Sequence, residues 1–90
     1  MARYSYHRLD ANHKAIVQAL EQIGASIEPK GPLDVIVGYG GANYLLEIKT
    51  AHGRVSSSQS QFLATWRGQA QVVRSISEAF AAIGISGASE

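Results

Sequence analysis

The chain has no cysteine, which removes disulfides and thiolate metal sites from consideration and fits a reducing compartment. No apolar run approaches the roughly 18–20 residues that a membrane-spanning helix needs, and the start, MARYSYHRLD, lacks the apolar centre of a signal peptide. A soluble, cytoplasmic protein without a membrane partner is the expectation. Excess charge is missing as well: Lys and Arg total 8 against 7 for Asp and Glu, a net charge of +1, too small to indicate a polyanionic partner by itself. Only the N-terminal end is locally basic, through Arg3, His7, Arg8, His13 and Lys14. Repeats, linkers and low-complexity tracts are absent too. What remains is an ordinary globular composition, 46% hydrophobic and 17% charged over 90 residues. A chain of this length hides only about 60–65% of its unfolded surface, so its core is small. One domain over residues 1–85 is expected, with a flexible tail over 86–90.

The order of elements follows from periodicity and punctuation. Asp10 or Asn12 is placed to cap a helix carrying Ile16, Val17, Leu20 and Ile23, which Gly24 ends. An extended piece lies near residues 25–28, and Pro29, Gly31 and Pro32 break it. Residues 33–39 form a strand and residues 44–50 another, joined by a turn at Gly40, Gly41, Ala42 and Asn43. Ser56 caps a second helix with Gln59, Phe62, Leu63 and Trp66 on one side, and Trp66 is expected in the core. Val72 and Val73 lie in a fourth strand, after which Ser75 and Glu78 have capping-box spacing for a last helix ending at Gly84. The result is an α/β domain in the order α-β-β-β-α-β-α.

Within the second long strand, Glu47 and Lys49 alternate with Leu46 and Ile48 and share a face. A hairpin brings Asp34, at the start of the preceding strand, toward the same end of the sheet as Glu47. Two converging carboxylates suit Mg²⁺ or Mn²⁺, which keep several waters and take few protein oxygens. The backbone carbonyl of Ile48 offers a third oxygen. Lys49 then stands where it can hold an attacking water or stabilise charge on a phosphate.

Asp34 followed by Glu47-Ile48-Lys49 resembles the D-(x)n-E-x-K signature of the PD-(D/E)XK nuclease superfamily. The run EIKTAHGRVSSSQSQFLATWRGQAQVVRS is similar to its VRR-NUC branch, with an E-x-K strand, an R-x-S approach to the next helix, a Gln on that helix and a strand ending in V-V-R. The resemblance implies a restriction-endonuclease-like αβββαβ core, a small mixed four-stranded sheet flanked by helices. It also implies a metal-dependent DNA endonuclease acting on duplex or branched substrates such as Holliday junctions, as a homodimer. In this pattern Asp34 and Glu47 bind the metal with the Ile48 carbonyl, Lys49 is the catalytic lysine, and Gln59 supports the metal water or touches a phosphate. His52, Arg54, Ser56 and Arg74 are the implied nucleic-acid contacts. A compact nuclease of this kind suits a phage or mobile element. Two positions depart from the pattern: Leu33 stands where the family has proline, and Ala15 takes the place of a first-helix glutamate, leaving Glu21 as that helix's only acid.

Each residue also has a plainer reading. Glu47 and Lys49 could form a surface pair on an edge strand, Asp34 could close a turn, and Arg54 could be a solvated loop charge. The histidines lack the spacing of a helical ligand pair and are taken as ordinary, His52 alone being near the E-x-K strand. Two alternatives to an enzyme stay open: a nuclease-fold module that binds DNA or assembles without robust catalysis, and a small structural subunit.

Overall fold

The computed structural model describes residues 10–85, and its element order is the expected one. In sequence these are α1 (Ala11–Gln22), β1 (Ser26–Glu28), β2 (Val35–Tyr39), β3 (Ala42–Ile48), α2 (Ser57–Thr65), β4 (Ala70–Val73) and α3 (Ile76–Ala82). The tail expected at 86–90 lies outside the described residues, as do Arg3, His7 and Arg8. None of the described helices is long and apolar enough to cross a membrane.

Asp10 is the cap of α1. Its Oδ1 accepts the His13 N–H at 2.7 Å, which satisfies one of the donors that a helix start leaves open. The other end closes on Gly24 at φ 90°: the Gly24 N–H bonds to the Glu21 carbonyl and the Ala25 N–H to the Leu20 carbonyl. That paired pattern is a Schellman motif, and the left-handed residue it requires favours glycine.

The sheet runs β1-β2-β3-β4, antiparallel except for the parallel pair β3 and β4. The parallel pair needs a crossover, which α2 supplies. Gly40 and Gly41, at φ 60° and 81°, make a two-residue hairpin turn, so Ala42 already pairs with Tyr39. The strands are therefore shifted from expectation. β3 begins before Tyr44 and ends at Ile48, and β2 begins at Val35. The ladder stops there for a chemical reason: the Asp34 carboxylate accepts the Ile48 N–H at 2.8 Å.

Paired positions share a face, and Val35, Val37, Leu46, Ile48 and Val73 bury theirs against Ile16, Val17 and Leu20 of α1 and Ala79 of α3. Full burial of a side chain such as Leu20 or Leu46 contributes about 1.5–3 kcal/mol. The opposite face carries Ile36, Leu45, Glu47 and Val72, with α2 on that side.

Two expectations are corrected. Trp66 is not in the core but 49% exposed. The helix ends at Thr65 and the backbone at Trp66 turns extended, so the indole lies against Phe62 rather than inside. Glu78 completes only half a capping box: its N–H bonds to Ser75 Oγ, but its carboxylate accepts the Arg74 N–H at 2.8 Å instead of that of Ser75.

Asn12 fastens α1 to the sheet. Its Nδ2 donates to the Lys49 carbonyl at 2.8 Å and to the Arg74 carbonyl at 3.1 Å, just past the ends of β3 and β4. Asn12→Ala is expected to cost about 1–2 kcal/mol in urea unfolding, the range for leaving partly buried carbonyls without their donor. An unchanged midpoint would show that water replaces the amide at no cost.

Candidate active site

One step beyond the pair Val35 and Leu46, the β2–β3 register sets Asp34 opposite Glu47 on the same face. Like charges in that relation repel. Here water cannot screen them well, because Glu47 is only 3% exposed and β3 lies inside the sheet. The reading of Glu47 and Lys49 as a surface pair on an edge strand is thereby excluded. Burial first, and Asp34 second, raise the Glu47 pKa above its ordinary value; the hydrogen bond and charge of Lys49 partly offset them.

Two donors converge on one Glu47 oxygen. Lys49 Nζ lies 3.3 Å from Oε2, with 21% of its side chain exposed, and Gln59 Nε2 donates to the same atom at 2.7 Å. Gln59 is itself fixed, because its Oε1 accepts the Ser56 N–H at 2.9 Å while its own N–H bonds to Ser56 Oγ at 3.2 Å. The start of α2 is thus a complete capping box whose glutamine also reaches the buried carboxylate. The cap sets the helix and aims the amide in one arrangement.

These groups line an open cleft of about 480 Å³ that includes Asp34, Glu47, Ile48, Lys49, Arg54 and Gln59. Asp10 and His13 enter it from α1. This corrects the placement of the first helix: Ala15 is exposed, and the start of the helix is what faces the cleft. His13, taken from the sequence as ordinary, is buried there, and burial lowers its pKa against the opposing pull of Asp34 and Asp10. The spacing of Asp10 and His13 places both on one side of the helix start. That was the available signal.

The remaining predicted contacts do not all gather. His52 is exposed and outside the lining, and Ser56 is occupied as the α2 cap. Arg74 turns to the loop after β3, where its Nη1 donates to the carbonyls of Thr50 at 2.6 Å and Gly53 at 2.8 Å. Its guanidinium holds the loop that carries His52 and leads to Arg54.

The donor set suits a hard cation of the Mg²⁺ type. Among the described residues no group of three or more His, Cys, Asp or Glu side chains is placed to hold a metal. Asp34 and Glu47 are two carboxylates, and Mg²⁺ is commonly held by one or two with water and substrate oxygens completing its shell. A positive charge between them would relieve the repulsion that the register builds in.

No protein-family model, curated protein or solved structure matches this chain. The chemistry of the cleft therefore stands on its own residues.

Proposed function

We propose that the protein is a divalent-metal-dependent endonuclease that hydrolyses DNA phosphodiester bonds. The observation that carries this reading is the convergence of Asp34, Glu47, Lys49 and Gln59 on one open cleft, tied by the bonds from Lys49 and Gln59 to a single Glu47 oxygen. The resemblance to VRR-NUC nucleases supports it through the same residues.

Asp34 and Glu47, with the Ile48 carbonyl, would hold Mg²⁺ or Mn²⁺. When bound, such an ion supplies an acidified water and offsets charge on the phosphate. Lys49 contributes an ammonium at the cleft wall, able to orient the nucleophile and to stabilise the charge that builds on the phosphoryl oxygens. Gln59 keeps the Glu47 carboxylate in one orientation, and Arg54 on the rim favours entry of a polyanion. The resemblance extends the proposal to branched substrates and to a pair of chains, each bringing one cleft to one strand.

Incubation of a four-way junction, a flap and a linear duplex with Mg²⁺, Mn²⁺ or EDTA tests the proposal. Cutting with either metal and none in EDTA is expected. DNA binding without cutting under any condition would instead favour the binding or assembly module, a reading motivated by the absence of a third side-chain ligand among the described residues.

A further inference from the structure

Trp66 is 49% exposed, yet it is not loosely held. Phe62 stacks on the indole, with ring centroids 5.0 Å apart and planes inclined by 24°. The Nε1 edge passes so close to Gly68 that a Cβ on that residue would come within 2.8 Å of it. An aromatic ring braced from two directions while half its surface stays open gives up part of the stabilisation that burial would bring. It gains a fixed orientation.

Its position is equally informative. Gln59 and Phe62, at i and i+3, share a side of α2, and Trp66 stands at its C-terminal cap, stacked on Phe62. The helix thus carries the Gln59 amide on Glu47 Oε2 at its first turn and the indole at its far end, a backbone rise of about 10 Å for seven residues. Along the sequence no acidic residue occurs between Glu47 and Glu78, while Arg54 and Arg67 fall in that stretch, Arg67 directly after Trp66. Lys49, which pairs with Glu47, and Arg74, which is held by loop carbonyls, fall there too. Such a segment is complementary to a polyanion.

We infer that Trp66, braced by Phe62 and Gly68, is a stacking platform for an unpaired base of the DNA strand whose phosphate lies in the Glu47 cleft. The inference rests on reading that cleft as a phosphodiester site, and it assigns a preference for single-stranded segments beside the cut. In a duplex both faces of a base are covered by its neighbours, so only an unstacked base offers a face to the indole. A rise of about 10 Å along the helix is the length of roughly three nucleotides at the stacked duplex spacing of 3.4 Å, and of fewer in the unstacked strand proposed here.

Trp66 is the only tryptophan in the chain, so intrinsic fluorescence reports on this position alone. In EDTA, oligodeoxythymidine is expected to quench the emission, and a blunt duplex of equal length to leave it nearly unchanged. Trp66→Ala should weaken single-strand binding roughly 5- to 100-fold by anisotropy, with duplex binding little altered and Trp66→Phe recovering much of the loss. Gly68→Ala keeps the tryptophan but displaces the ring, and should lose part of the quench. Circular dichroism establishes that each variant is folded. Absence of quenching overturns the inference, and so does equal weakening of single-strand and duplex binding by Trp66→Ala. Loss of self-association as the only effect of that variant also overturns it and makes the surface a protein contact. Metal-dependent cutting is scored separately: cutting without quenching removes the platform and keeps the nuclease, and quenching without cutting does the reverse.

Discussion

Lys49→Ala is expected to slow metal-dependent cleavage about 10²- to 10³-fold, the range for loss of one preorganised donor at a developing charge, with the domain still folded. The ammonium lies 3.3 Å from Glu47 Oε2 and its side chain is 21% exposed, so it belongs to the cleft wall. Its removal opens no core cavity. What disappears is a positive charge beside the phosphate and a donor that positions the attacking water. Lys49→Arg separates the two contributions, because arginine keeps the charge but spreads its donors over a rigid planar fork. Recovery of most of the rate would assign the effect to charge; failure to recover would assign it to position. The readout is single-turnover cleavage at saturating DNA and metal, with affinity measured independently by anisotropy. Saturating metal matters, since truncation also strips Glu47 of the counter-charge that opposes Asp34. An unchanged rate would take Lys49 out of the chemistry.

The carboxylate pair and the lysine were legible because they depend on short-range rules. Alternation along β3 sets Glu47 and Lys49 on one face, and a hairpin closed by Gly40 and Gly41 carries Asp34 back to them. Gln59 was legible as a residue on one side of a helix, its place in the site being implied by the family resemblance. Its double use, bonding to Ser56 and to Glu47, depended on where the helix axis came to rest. Asp10 and His13 were missed for a related reason. Helical spacing tells which residues share a face, but the end of α1 that meets the strand ends is set by Asn12, through carbonyls 37 and 62 positions away in sequence. Trp66 was misplaced by a single residue of helix length. Four positions after Phe62 it reads as a packing partner, and so it is, but the chain has already left the helix and the pair stacks outside. Arg74 shows the limit of charge as a guide: loop carbonyls, which carry no sequence signature, take its guanidinium.

Glu47→Gln is expected to change stability in opposite directions with and without metal. In EDTA near neutral pH the variant should melt higher than the wild type. The wild-type carboxyl has a folded-state pKa raised above its ordinary value by burial and by Asp34, so the folded protein holds that proton more tightly than the unfolded chain does. Its contribution therefore falls as pH rises from the ordinary glutamate value, roughly 4.3, through the raised folded value, and stays low above it. A glutamine keeps an oxygen for Lys49 and Gln59, and turns the repulsion opposite Asp34 into a donor facing an acceptor. With the penalty gone, this part of the pH dependence should flatten. In Mn²⁺ at about 100 times its Kd, the wild type gains roughly 2.7 kcal/mol, on the order of 10 °C in Tm for a domain of this size. The variant should lose most of that gain, because a neutral amide is a poor replacement for a carboxylate at a hard cation. Thermal unfolding from pH 5 to 8, with EDTA or Mn²⁺, reads both effects. If Mn²⁺ leaves the wild type unmoved while Glu47→Gln still melts higher in EDTA, the buried acid is strained without being a metal ligand. If the wild type responds to Mn²⁺ and does so more strongly as pH rises, metal and proton are competing for the same carboxylate, and the instability of the empty site is a consequence of the charge that makes it bind.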